Sequence, residues 1–121
     1  MEIIAIASKM EEIISEIQFT IKKLPGLAEA KARAKSDYEK ELALTGLKLE
    51  AGRILEYEGL PIGKLTANDR ERLAKGICAE YRYECEKADA FYKAAVVKMS
   101  GLESMLNGYQ SVGKYSEYSN Q

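Results

Sequence analysis

The sequence contains no histidine and no tryptophan, and it has only two prolines and two cysteines among its 121 residues. Without histidine the chain lacks the usual general base, the commonest zinc ligand and the side chain that ordinarily titrates near neutral pH. A serine or cysteine nucleophile would lack its activating base for the same reason. We therefore predict that the protein is not an enzyme, and that it has no catalytic residue, no metal site and no cofactor.

An excess of either charge is also missing, because 18 basic residues are balanced by 19 acidic ones and the net charge is −1. Such a chain does not generate the positive field that gives proteins a non-specific affinity for nucleic acid. Duplex DNA is therefore not an expected partner.

Long apolar runs are absent, since Glu2, Lys9 and Glu11 interrupt the apolar N-terminus. We predict neither a signal peptide nor a membrane span, and no membrane partner. Cys78 and Cys85 lie about 10 Å apart along one predicted helix, which is beyond the reach of a disulfide. They are expected to be reduced thiols, and the predicted location is the cytoplasm.

No segment alternates apolar and polar residues as a strand would, whereas helix-forming residues are abundant and 46% of the chain is hydrophobic. The predicted class is all-α, an elongated antiparallel hairpin or bundle of three helices with coiled-coil-like seams. One helical domain is expected over residues 1–112, with helices at about 2–24, 27–58 and 67–112. Residues 113–121 are expected to form a C-terminal tail that is flexible or packed on the helices.

Three apolar seams, in which steps of three and four residues alternate, support these helices. Pro25 and Gly26 are expected to end or kink the first helix, and Gly59 to end the second. The first seam comprises Ile3, Ile6, Met10, Ile13, Ile17, Thr20 and Leu24. The second comprises Leu44, Leu47, Ala51 and Ile54. The third comprises Tyr81, Cys85, Ala88, Tyr92, Ala95, Met99, Leu102, Leu106 and Tyr109.

The third predicted helix is longer than the second, so its outer half would overhang any partner within the chain. An overhanging apolar seam needs another molecule to cover it, and a homo-oligomer, most simply a two-fold dimer, is the expected assembly. The residues assigned to this oligomer seam are Tyr92, Met99, Leu102, Leu106 and Tyr109.

The segment "GLPIGKLTAND" at 59–69 has the glycines and lysine of a phosphate-binding loop, but it fails on spacing, and Leu65 occupies the position of the hydroxyl. We predict a helix–helix corner, capped by Thr66 with Asp69 or by Asn68 with Glu71. A helix N-terminus beside basic side chains can still attract an anion. The candidate anion-binding residues here are Lys64, Thr66, Arg70 and Arg72.

A basic and aromatic patch on the third helix completes the candidate ligand site with Arg82, Tyr83 and Lys87. One interpretation is a surface that is solvated or faces another subunit. The other is a surface that stacks on and pairs with a nucleotide.

The C-terminal tail is rich in tyrosine and glycine, and its helix is expected to dissolve between Gly108 and Gly113. Tyr109, Tyr115 and Tyr118 either pack on the helices or in a subunit contact, or stack on a base or ligand.

Residues 38–112 resemble a group of small helical proteins of tailed bacteriophages. The shared pattern is a long helix that ends in a charged turn, a short loop containing proline, and a second long helix with a central "ADAFYKAA" stretch, at 88–95. The resemblance implies an accessory protein of a phage or prophage, encoded among early genes near those for single-strand annealing recombinases and acting in the host cytoplasm. It brings no catalytic residue, and the apolar first helix departs from the pattern.

Three functions remain open from the sequence. The leading hypothesis is an oligomeric protein, without enzymatic activity, that binds a protein of the recombination machinery or of the host. The second is an anti-defence protein that sequesters a signalling nucleotide or inhibits a host immune protein. The third is a structural coiled-coil component of the virion.

Overall fold

A computed structural model describes residues 2–119, with the side chains of residues 2–115. It contains three α-helices and one minimal hairpin of two antiparallel strands, and it confirms the all-α class. In chain order the elements are α1 (Ile3–Glu50), β1 (Glu56–Tyr57), β2 (Leu60–Pro61), α2 (Ala67–Ile77) and α3 (Ala79–Ser119).

Helix α1 runs without interruption through Pro25, so the predicted end of the first helix at residue 24 is wrong. Proline inside a helix costs about 3 kcal/mol, because it removes one backbone hydrogen bond and crowds the preceding turn. The seam keeps its spacing across this point, with Thr20 buried and Leu24, Leu27 and Lys31 partly buried. Continuous burial on this side of α1 therefore outweighs the cost of an exposed proline.

The C-terminus of α1 lies eight residues before the predicted one at residue 58. Gly52 adopts the left-handed conformation with a φ of 69°. Its N–H donates to the Leu49 carbonyl at 3.2 Å, and the Arg53 N–H donates to the Lys48 carbonyl at 2.9 Å. These two bonds form a Schellman motif, in which glycine is favoured because it has no Cβ. Gly52 rather than Gly59 thus ends the helix.

The second predicted seam is also displaced. Thr45 and Leu49 are the buried residues of this part of α1, whereas Leu47 is 64% exposed and Leu44 is exposed as well. Ala51 lies beyond the helix end. Leu44 and Leu47 are therefore exposed on the surface of α1 rather than buried.

The hairpin replaces the simple corner that the sequence predicted. Glu58 and Gly59 both have positive φ, of 51° and 77°, as a two-residue type I′ turn requires. Tyr57 packs on α2, since a Cβ added to Gly76 would lie 3.2 Å from the Tyr57 hydroxyl. Gly59 therefore belongs to the turn of a hairpin. This geometry agrees with the prediction that the segment is not a phosphate-binding loop.

Helix α2 begins at the predicted cap, because the Asp69 N–H donates to the Thr66 hydroxyl at 3.2 Å. The predicted helix over 67–112 is, however, two helices that are separated at Cys78. Cys78 is buried, and its Sγ lies 3.3 Å from Thr45 Oγ1. A buried contact with α1 thus fixes the point where α2 passes into α3.

The chain divides into two compact units. The first unit comprises Met1–Ala28 and Phe91–Gln121. Its helices are antiparallel, since Ile6 lies 3.7 Å from a Cβ placed on Gly113 and Lys98 pairs with Glu16 at 3.3 Å. Ile6, Ile13 and Thr20 form its buried centre.

The second unit comprises Glu29–Ala90. Lys31 pairs with Asp89 at 3.1 Å, and Thr45, later in α1, contacts Cys78 just before the start of α3, so α1 and α3 are antiparallel in this unit too. Leu49, Ala74 and Cys78 are its buried apolar side chains. Each unit thus has a small core, and much apolar surface remains exposed.

Helix α3 continues through Gly108 and Gly113 to Ser119, so the predicted dissolution of the helix is wrong. Tyr109 is partly buried, and Gly113 packs beside Ile6, so α1 supports this part of α3. Tyr115 is exposed. The side chain of Tyr118 lies outside the described residues.

Candidate functional site

The second unit has an open cleft between α1 and α2, which we call the α1–α2 cleft. Its volume is about 500 Å³, and its wall is mainly apolar with charged groups at the margin. It is lined by Leu42, Ala43, Gly46, Leu47 and Glu50 of α1 and by Ala67, Arg70, Glu71 and Ala74 of α2.

Two features of α1 open this cleft. Because Thr45 and Leu49 are turned into the core, the neighbouring Gly46 and Leu47 line the cleft. A Cβ added to Gly46 would meet no atom within 4 Å, so the glycine leaves space. Leu47 is largely exposed beside it. The cleft can therefore receive apolar side chains.

The margin of the cleft carries charges of both signs. Arg70 Nη1 lies 3.7 Å from a Glu50 carboxylate oxygen, and Lys75 pairs with Glu71 at 3.2 Å. The Arg70 Nε is buried and makes no hydrogen bond. A buried donor without a partner is destabilising, and because the Arg70 Nε has almost no accessible surface, it is not exposed to the cleft.

Lys64 and Arg70 meet in a second, smaller cleft of about 280 Å³, which we call the Lys64 cleft. Two of the predicted anion-binding residues are thus brought together. Thr66 instead serves as the cap of α2, and its hydroxyl already accepts the Asp69 N–H. Arg72 is exposed and lines neither cleft.

The predicted basic patch on α3 is neutralised by its own helix. Lys87 lies 3.1 Å from Glu84, and Arg82 lies 3.9 Å from Glu86. The Lys87 ammonium stands 5.5 Å from the centre of the Tyr83 ring, as the spacing of the two residues predicts. None of these residues lines the Lys64 cleft, so the candidate ligand residues do not form one site.

The predicted oligomer seam is partly buried within the chain itself. All five of its residues belong to the first unit, together with the N-terminal part of α1. The prediction assumed that α3 overhangs its partner helix, whereas α1 continues past Pro25 and contacts α3 there. The residues concerned are Tyr92, Met99, Leu102, Leu106 and Tyr109.

A different stripe of α3 is exposed, and the sequence analysis missed it. We call it the outer α3 stripe. It combines bulky residues with residues that have small side chains or none. In the sequence, residues of each kind recur at a spacing of seven. The bulky members are Phe91, Met105, Val112 and Tyr115, and the small ones are Ala94, Gly101 and Gly108.

Among the described residues, no helix is long and apolar enough to cross a membrane. In the same part of the chain no group of three or more metal-ligating side chains comes together. Comparison with known proteins finds no matching family model, no matching curated protein and no matching solved structure.

Proposed function

We propose that the protein works by binding rather than by catalysis, as a homo-oligomer whose α1–α2 cleft receives an apolar segment of a protein partner. The observation that carries this proposal is Leu47, which is 64% exposed beside an apolar cleft of about 500 Å³. Burying a leucine side chain contributes about 1.5–3 kcal/mol, which becomes available when a partner covers the cleft.

An amphipathic helix is the partner segment that fits this cleft best. Helix-in-groove recognition uses apolar side chains three and four residues apart, with polar groups at the margin. Leu42, Gly46 and Leu47 supply the apolar wall on α1. Glu50 and Arg70 supply charges that can pair with both signs on the partner.

The biological setting is a further part of the proposal. The resemblance of residues 38–112 to small helical phage proteins supports an accessory protein of a phage or prophage. The partner is then a protein of the recombination machinery or of the host, met in the host cytoplasm. A virion component would use the same assembly surfaces, and association with purified virions would distinguish it.

Replacement of Leu47 by Glu is expected to abolish retention of the partner. A charge at this position would have to be desolvated when the cleft is covered. The measurement is affinity capture from phage-infected cells, with quantitative mass spectrometry of wild type and L47E. Leu55→Glu is the matched control, because Leu55 is an exposed leucine of the same unit that does not line the cleft.

At least one captured partner should be recovered at least about tenfold less with L47E and equally well with L55E. A tenfold fall corresponds to a loss of about 1.4 kcal/mol in binding free energy. Circular dichroism should show that both variants stay helical. Equal recovery of every captured protein with L47E and wild type would contradict a binding role for the cleft.

The Lys64 cleft supports a second candidate function, the binding of a nucleotide or another small anion. The supporting observation is that two basic residues, Lys64 and Arg70, line one small cleft together with Glu50. If this function is correct, a cyclic oligonucleotide or an ADP-ribose derivative at saturating concentration will raise the melting temperature by several degrees. Lys64→Ala should abolish the rise and Arg72→Ala should leave it. No shift with any of these anions would exclude this candidate.

A further inference from the structure

More surface is exposed than a folded monomer of this size needs to expose. The accessible area is 9123 Å², whereas a monomer with a mass of 13.5 kDa typically exposes about 6,500 Å². The difference is about 2,600 Å², and a standard protein–protein contact removes only about 800 Å² from each partner. The chain thus has ample area for a stable contact with another copy.

The outer α3 stripe is the part of this surface best suited to a second copy. Met105 is 52% exposed, and Phe91, Val112 and Tyr115 are exposed with it. The small positions beside them allow another helix to approach closely. A Cβ added to Gly101 or Gly108 would meet no atom within 4 Å.

We propose that two copies of the protein pair through this stripe, with their α3 helices antiparallel about a two-fold axis that passes between Gly101 and Met105. The proposal rests on the oligomeric part of the proposed function and names its interface. A two-fold contact brings the same patch of both copies together, so the patch must be complementary to itself.

The stripe meets this requirement residue by residue. In this register Met105 of one copy faces Gly101 of the other, and Val112 faces Ala94, so bulky side chains enter the spaces left by small ones. Phe91 faces Tyr115 at both ends, where an aromatic pair is favourable.

Lys98 is exposed at the same seven-residue spacing, between Phe91 and Met105, and it does not oppose the contact. Its ammonium pairs with Glu16 of α1 at 3.3 Å, on the side of the stripe. The aliphatic part of a lysine can lie along apolar surface while its charge stays outside. In the proposed register Lys98 faces Gly108, which has no side chain to oppose it.

The opposite flank of the first unit is the competing surface, and it fits a second copy less well. Val96 of α3 is exposed there, and Ile14 and Ile21 are exposed on α1. The following α3 positions at the same seven-residue spacing are Glu103 and Gln110. Polar groups would have to be desolvated without a designated partner on this flank.

Two matched variants separate these surfaces by light scattering after size exclusion. Met105→Glu places a charge at the centre of the proposed contact, and the apparent mass should fall by half relative to wild type. Val96 is 44% exposed, comparable to Met105, but lies on the opposite flank of α3. Val96→Glu should therefore leave the mass unchanged, and circular dichroism should show both variants to be helical.

Cysteine cross-linking tests the register in a Cys85→Ser background, which leaves only the buried Cys78. Gly101→Cys and Met105→Cys chains face one another across the proposed axis. Equal residues of two copies are offset by about 6 Å along the helices. A mixture of the two variants should therefore form more mixed disulfide than either variant forms with itself.

The outcomes distinguish the interface from the oligomer. A wild-type monomer would overturn both this proposal and the oligomeric part of the proposed function. A wild-type dimer that M105E leaves intact, or that V96E dissociates, would overturn the α3 interface alone. Mixed disulfides no more abundant than self-disulfides would overturn the proposed register.

Discussion

Replacing Ile13 by Ala should lower the free energy of unfolding by about 2–5 kcal/mol, the range seen when a buried isoleucine is truncated. Ile13 is 5% exposed at the centre of the first unit. Truncation removes apolar contacts and leaves a cavity that two antiparallel helices cannot close without moving. Because the core holds so few buried side chains, each one carries a large share of the stability.

The matched control for this experiment is Ile4→Ala. Ile4 lies in the same helix but is 81% exposed, so its truncation should change the free energy of unfolding by less than about 0.5 kcal/mol. Urea denaturation followed by circular dichroism measures both variants. Equal losses of stability would mean that Ile13 is not in the core, and the packing of α1 on α3 would have to be rejected.

Replacing Pro25 by Ala should stabilise the protein, which is unusual for a substitution at a single position. Proline in a helix interior costs about 3 kcal/mol, and an alanine would supply an N–H for the Ile21 carbonyl. Part of this gain, up to about 1 kcal/mol, is lost because the unfolded chain becomes more flexible without proline. The expected net increase in the free energy of unfolding is about 2 kcal/mol.

Gly26→Ala provides the comparison, since Gly26 is the next residue and a Cβ there meets no atom within 4 Å. Its expected gain is about 1 kcal/mol from helix propensity alone. Denaturant titrations of the two variants separate the effect of proline from that of propensity. If α1 were broken at Pro25, its replacement would bring no gain, and the continuous helix would be contradicted.

The sequence allowed the class and most of the helical faces to be predicted. Alternating steps of three and four residues identified Ile6 and Ile13 as core residues of α1, and the same spacing identified the partly buried residues of α3 from Cys85 to Tyr109. These predictions succeeded because periodic burial is a local property of a helix. The Thr66 cap was found for the same reason.

Predictions that depended on tertiary packing failed. Local propensity favours a helix break at Pro25, and only the continuous burial around it shows why α1 persists. Gly52 and Gly59 are equally good helix stops in the sequence, and the φ of 69° at Gly52 arises in the folded end of α1. Once that end was misplaced, Leu44 and Leu47 were assigned to a seam that Thr45 and Leu49 occupy.

The α1–α2 cleft could not be predicted, because it depends on where α2 packs against α1. Its one visible signal was Gly46 inside a helix, where glycine is unfavourable unless space is needed. The outer α3 stripe was detectable in principle, since Ala94, Gly101 and Gly108 recur every seven residues. The oligomer prediction instead used the more regular apolar seam beside this stripe, whose residues are already partly buried within the chain.

The surface proposed for assembly and the surface proposed for partner binding lie in different units of the protein. The outer α3 stripe belongs to the first unit, and the α1–α2 cleft belongs to the second. The two surfaces share no residue, and a dimer formed through the stripe would contain two copies of the cleft. Two linked sites bind a partner that itself has two epitopes more tightly than one site does, when the geometry allows both to engage.

Sedimentation equilibrium of the unmodified protein, over a range of about 1–100 µM, tests most directly the central claim that its exposed apolar surface serves assembly. The predicted result is twice the chain mass of 13.5 kDa, with dissociation only towards the lowest concentrations. A mass of 13.5 kDa at every concentration would contradict the claim.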